Sequence, residues 1–166
     1  MKLSPNLTYE EAIRSETAKR YGINNEPYPR QLEVIKNLAL NLFQPVRDHF
    51  AVKLFVSSLY RSPELNAKIG GAASSDHMVK EDVAAIDFDQ DVWEKETDVS
   101  NADIFWFIYD HMPYYKLIWE FGTDKRPDWV HVSFSTDPAK NKRKLTYRAV
   151  RDGVGRTSYT IFKDKR

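Results

Sequence analysis

The chain has four histidines, twenty-four carboxylates and no cysteine. A thiolate zinc site, a cysteine nucleophile and a disulfide framework are therefore excluded. Any metal must be held by His, Asp or Glu. Zinc without cysteine is commonly held by two His and one carboxylate, with a fourth position open to water. His77, Asp87 and His131 supply such a set. His77 stands in a polar loop just before an apolar run that ends in Asp87. His131 sits between Val130 and Val132, which point to the opposite face if the segment is a strand. Spacing alone selects this triple weakly, because four histidines and twenty-four carboxylates permit many others. His49 and His111 fall near predicted helix ends and read as surface groups.

The elements that must position these side chains follow from periodicity and caps. Thr8-Tyr9-Glu10-Glu11 has the capping-box pattern, which predicts a helix through Ala12, Ile13 and Ala18 that stops at Gly22. From Arg30, residues Leu32, Ile35, Leu38, Leu42 and Val46 recur at three- and four-residue steps. They form one helical stripe, which Pro45 should kink or end. Residues 52–58 read as a strand, 64–69 as a short helix and 70–75 as a flexible connection. Residues 83–89 read as a small-sided buried strand. Residues 101–111 read as an aromatic-rich helix, capped by Ser100 or Asn101 and closed by Pro113. Residues 116–121 and 129–134 are the third and fourth strands. Residues 145–150 and 158–162 are the arms of a hairpin around Asp152-Gly153. Helices first, then strands mixed with helices, predict an α+β fold. Its expected form is a small antiparallel sheet with the N-terminal helices packed against it and the metal site on the sheet face.

At 166 residues the chain fits one domain with a core of its own. Its 42% hydrophobic and 30% charged residues argue against global disorder. No apolar run approaches the ~20 residues that span a bilayer. The opening Met1-Lys2-Leu3-Ser4-Pro5-Asn6 lacks the apolar centre of a secretory signal. Cytoplasmic synthesis without membrane insertion is the expectation. The net charge of +1 hides an asymmetry: residues 138–166 hold ten Lys/Arg and two Asp, a net +8, which leaves −7 on residues 1–137. The expected division is a body of 1–137 and a basic extension of 138–166, which a hairpin would attach to the same domain. The extension is either a solvated edge or a contact with a polyanion such as an anionic wall polymer. It carries no nucleic-acid recognition motif, so nucleic acid is not an expected partner.

Several blocks, taken in order, carry a more specific signal. Leu7-Thr8-Tyr9-Glu10-Glu11, Leu42-Phe43-Gln44-Pro45-Val46-Arg47 and Ser57-Ser58-Leu59-Tyr60-Arg61-Ser62-Pro63-Glu64-Leu65-Asn66 are followed by Ser75-Asp76-His77, Ala85-Ile86-Asp87 and Trp129-Val130-His131-Val132-Ser133. Together, over about residues 7–135, they resemble the zinc peptidases of the D-Ala-D-Ala carboxypeptidase and L-Ala-D-Glu endopeptidase superfamily. The resemblance implies that His77, Asp87 and His131 ligate Zn²⁺, which acidifies a bound water and polarises a scissile carbonyl. It implies Asp128, three residues before His131, as the general base and later the proton donor to the leaving amine. An Asp rather than a Glu there resembles the phage endopeptidase branch. Arg61 would bind the substrate carboxylate or the developing oxyanion. Ser75 would orient the substrate or a neighbouring ligand. Glu120, at the end of the preceding strand, is a rival carboxylate for the base.

One departure from the family pattern is local. His77 and Asp87 lie ten positions apart, where the pattern has seven, so residues 78–82 contain three extra residues. A loop absorbs added length at little entropic cost. It would nevertheless lie beside the cleft, where Glu81 or Asp82 could intrude. The implied function is a zinc-dependent hydrolase of peptide bonds in bacterial peptidoglycan, either carboxypeptidase or endopeptidase. Phage or prophage origin is implied as well, with an endolysin-like product acting at the cell wall after release or as a virion component. The competing expectation is a catalytically inactive member of the same fold, serving as a phage structural or wall-binding protein with its cleft closed by the longer loop.

Overall fold

A computed structural model of the chain describes residues 1–93 and 96–166. The chain opens with a two-strand ribbon, β1 (Lys2–Ser4) and β2 (Leu7–Thr8), then α1 (Tyr9–Ala12) and α2 (Glu16–Tyr21). The capping box forms as its residues predict. The Thr8 hydroxyl accepts from the Glu11 backbone N–H at 3.2 Å, and the Glu11 carboxylate accepts from the Thr8 N–H at 2.9 Å. The single expected helix is two, because Ser15 starts a second cap by accepting from the Ala18 N–H. Gly22 closes it in the left-handed conformation.

α3 (Pro29–Leu38) and α4 (Gln44–Phe50) form one rod, joined by a π-helical turn over Ala39–Phe43. Pro45 does not end this helix. A proline ring crowds the carbonyl of the turn before it. The wider π turn, in which the Gln44 N–H bonds the Ala39 carbonyl, provides the room. Leu38, Ala39, Leu42 and Val46 of the rod are fully buried. After it come β3 (Val56–Ser58), α5 (Pro63–Lys68), a 3₁₀ turn (Asp76–Met78) and β4 (Val83–Phe88). α6 (Asn101–His111), β5 (Lys116–Glu120), β6 (Trp129–Ser135), α7 (Pro138–Asn141), β7 (Leu145–Arg151) and β8 (Thr157–Ile161) complete the chain.

The main sheet has six strands in the order β3-β4-β6-β5-β7-β8. It is mixed, and it is larger than the small antiparallel sheet expected from the sequence. β5 and β7 are parallel, while the other neighbours are antiparallel. The cause is the link from β6 to β7. This short link, containing α7, takes the chain across β5, so β7 enters on the far side of that strand instead of beside β6. It has no long apolar period, and its crossover is therefore not readable as one.

One face of the sheet carries the core. Ala84, Ile86, Phe88, Leu117, Trp119, Val130, Val132 and Phe134 pack in one cluster with Val34, Ile35 and Leu38 of α3 and Ile104, Phe105 and Ile108 of α6. Alternation puts the intervening residues on the other face. The register pairs Asp87 with His131, His131 with Ile118, and Ile118 with Tyr147, so these four form one cross-strand row. The basic C-terminal segment supplies β7 and β8. Ala149 is fully buried, and the Phe162 ring packs on Phe105 and Trp119 with centroids 4.9 and 5.9 Å apart. Many of its charges are answered locally: Lys140 by Asp82, Arg148 and Lys165 by Asp124, and Arg166 by Asp110. Among the described residues, no helix is long and apolar enough to cross a membrane.

Candidate metal centre

His77, Asp87 and His131 meet on the open face of the sheet, buried to 3%, 5% and 9% exposure. One donor atom from each lies within 4.8 Å of the others. Asp87 and His131 are direct cross-strand partners on β4 and β6, which alone brings their side chains together. His77 arrives from the 3₁₀ turn. Ser75 caps that turn, its hydroxyl accepting from the His77 N–H at 3.4 Å. Ser75 thus positions a candidate ligand and also lines the cleft. His49 and His111 are exposed and far from this cluster in the fold, stacked or tilted against Phe107.

Hydrogen-bond accounting shows that these residues suit a cation. His77 Nδ1 lies 2.7 Å from the Leu59 carbonyl, which can only accept, so Nδ1 carries the proton. Nε2 then presents a lone pair toward Asp87 Oδ2, 3.1 Å away. Burial pushes the His77 pKa down, against the pull of Asp87, which favours this neutral ring. On the other side, Ser133 donates its single proton to Asp76 Oδ2 at 2.6 Å. Its oxygen must therefore accept from His131 Nε2 at 3.0 Å. A neutral His131 so held turns its Nδ1 lone pair toward Asp87 Oδ1, 2.8 Å away. Two lone pairs and an anion converge with no proton between them. A divalent cation resolves that arrangement, and two His with one carboxylate is a catalytic zinc donor set.

The outer contacts orient the donors. Arg61 Nη2 bonds Asp87 Oδ2 at 3.0 Å and its Nε bonds Ser58 Oγ at 2.8 Å. Asp76 is held by Lys116 Nζ at 2.7 Å as well as by Ser133. Burial works against its charge, but these two hydrogen bonds prevail and leave its carboxyl below its ordinary pKa. Lys116, Asp76 and Ser133 thus hold His131 in sequence, which fixes the ring and tautomer of a candidate ligand. Ser133→Ala should keep the fold and weaken zinc binding by about 10- to 100-fold, read by competition with a chromophoric chelator. Unchanged affinity would remove Ser133 from the site. Sequence reasoning missed Asp76, Lys116 and Ser133. Only the strand alternation that puts Ser133 on the His131 face pointed to any of them.

A cleft of about 510 Å³ opens over the cluster. Its walls include residues 70–72 and 74–77, Trp129, Phe121 and Glu120, and from the C-terminal hairpin Tyr147, Arg151 and Tyr159. Glu120 is 7% exposed. Burial, aided by the Asp87 charge and opposed by His131, pushes its carboxyl up to about 7. Directly beyond it the chain turns sharply through Gly122 at φ 65°, where a Cβ would meet the Arg126 carbonyl at 2.2 Å. Asp128, expected to be the base, is exposed and does not line the cleft. Trp129 pairs with Glu120 and shares the His131 face, whereas Asp128 stands in the bend just before the strand. The Asp128 backbone is pinned instead, with its N–H donating to Glu120 O at 2.9 Å and its carbonyl accepting from Asn101 Nδ2 at 2.8 Å.

The longer loop, residues 78–82, does not intrude. None of its residues lines the cleft. It is taken up by two left-handed residues, Val79 and Glu81, and Gln31 Nε2 ties it down through the Met78 carbonyl at 3.0 Å. Asp82 bonds Ser135 Oγ and Lys140 Nζ, each at 2.6 Å, at the far end of β4. A family model described as Peptidase M15 matches residues 5–133. No curated protein matches the chain.

Proposed function

We propose, since the chain belongs to the Peptidase M15 family of zinc D-Ala-D-Ala carboxypeptidase-like peptidases, that it hydrolyses peptide bonds in bacterial peptidoglycan. Either a carboxypeptidase or an endopeptidase action on stem peptides fits the cleft. The observation that carries this reading is the convergence of His77 Nε2, His131 Nδ1 and the Asp87 carboxylate at the floor of an open cleft. These three residues would hold zinc, which when bound would supply Lewis-acid polarisation of the scissile carbonyl.

The chain's own groups do the rest. Glu120 is a buried carboxylate that lines the cleft outside the ligand triad, and we assign it the proton work in place of Asp128. It takes a proton from the attacking water and returns it to the leaving amine. Arg61 orients Asp87 and keeps Nη1 for charge that develops on the carbonyl oxygen. Trp129, Phe121, Tyr147 and Tyr159 give flat walls to an extended peptide. The inactive alternative rested on a cleft closed by residues 78–82, and those residues lie outside its walls.

The test is metal analysis followed by hydrolysis. The purified protein should hold one zinc per chain, and Asp87→Asn should hold none. Cleavage of a muramyl stem peptide, followed by mass spectrometry, should stop with chelator and return with zinc. Metal-loaded protein that leaves every stem peptide intact would overturn the reading.

A further inference from the structure

We propose that Arg151, on the hairpin beyond the family match, is the receptor for a carboxylate of the substrate, and that the cleft selects peptides with a free carboxylate close to the scissile bond. This rests on the reading of the cleft as a peptidase site.

Three cations line the cleft: Arg61, Lys116 and Arg151. Two are already engaged. Arg61 spends Nε and Nη2 on Ser58 and Asp87, which commits its side-on fork and ties it to the ligand cluster. Lys116 is paired with Asp76 at 2.7 Å. Arg151 is exposed, and among the described residues no carboxylate lies within ion-pair distance of it. Its guanidinium is stacked on the Phe121 ring, 4.4 Å from the centroid, which limits its freedom and leaves its donors available.

Its location fits the role. β7 pairs in parallel with β5, Ile118 with Tyr147 and Glu120 with Ala149, so Tyr147, Ala149 and Arg151 share the face of His131. Arg151 is four residues along β7 from the row that contains His131. At about 3.3 Å per residue that is ~13 Å along the strand, and β7 lies two strands from β6, so the backbones are ~16 Å apart. Less the length of the arginine side chain, it leaves two or three residues of extended peptide between the scissile bond and the carboxylate. Ala149, between Glu120 and Tyr159 in the sheet, is fully buried, so the cleft wall here is made by its neighbours. Tyr147 and Tyr159 flank it. Residues 134–166 lie outside the family match.

The experiment uses the zinc-loaded full chain and a synthetic stem pentapeptide in three forms: both carboxylates free, the C-terminal carboxylate amidated, or the isoglutamate carboxylate amidated. Binding is measured by calorimetry for wild type, Arg151→Met and Arg151→Lys, and turnover separately. One amidation should weaken wild-type binding roughly 10- to 100-fold. Arg151→Met should lose the same factor on the free acid and show no further loss on that amide. Arg151→Lys should recover part of the preference. If Arg151→Met still discriminates acid from amide, or wild type binds all three forms alike, the assignment is wrong. Absence of turnover with the acid preference intact would instead count against the peptidase reading alone.

Discussion

Replacing Glu120 by glutamine is expected to leave the metal in place and to lower turnover by on the order of 10²–10⁴. The amide keeps the shape of the side chain, but it cannot accept a proton. Asp128→Asn, by contrast, should stay within a few-fold of wild type, because that side chain is exposed and outside the cleft walls. Steady-state kinetics on one stem peptide, with zinc content measured in parallel, decides between them. A large loss in Asp128→Asn with Glu120→Gln active would return the base to the position that the resemblance implied.

The same substitution has a second readout in chelator-treated protein. Burial raises the Glu120 carboxyl to about 7. An unfolded chain releases that proton near the ordinary glutamate value, so the folded state binds it more tightly. The contribution to stability is fully present below the unfolded pKa and is lost as pH rises through the folded one. Between pH 5 and 8, wild type should therefore lose up to ~3 kcal/mol relative to Glu120→Gln in urea unfolding. Equal pH profiles would mean that Glu120 is solvated rather than enclosed.

How far the sequence could be read depended on whether local rules controlled the outcome. The meeting of His77, Asp87 and His131 was legible because strand alternation and cross-strand pairing put Asp87 and His131 together, and the motif around Ser75 and His77 supplied the third candidate donor. The aromatic helix was legible from its cap: Ser100 and Asp103 form the box their spacing predicts. Asp128 was expected from motif spacing alone; it stands in a bend just before β6, outside the strand whose alternation places Trp129 and His131. The π turn before Pro45 and the left-handed pair Val79 and Glu81 were hidden for another reason. Each absorbs a local strain, and neither residue type signals it: valine is among the least suited residues to positive φ. The parallel pairing of β5 and β7 depends on a crossover whose direction is set by what the rest of the sheet leaves open, and no residue in the link encodes it.

That crossover governs the last expected result: a chain ending at Asn141 should not fold. The basic segment can be pictured as a separable wall-affinity element, but its strands are two of the six in the sheet. Removing them makes β5 an edge and strips its partners, among them the Phe121 N–H to Ala149 carbonyl bond at 3.1 Å and the Tyr114–Thr146 hydroxyl pair at 2.8 Å. It also uncovers Trp119 and Phe105, which lose the Phe162 ring. Losing one large core aromatic typically costs ~3–5 kcal/mol, and a domain of this kind has only ~5–15 kcal/mol in total. Two strands and that ring together exceed what remains. Circular dichroism of the truncated chain should show no cooperative thermal transition, and zinc should not be retained. A sharp transition with one bound zinc would instead establish residues 1–141 as an independent unit. Any wall affinity of the basic residues should then be sought by charge substitution in the intact chain, at Lys142, Arg143 and Lys163, with binding to anionic walls that weakens as salt is raised.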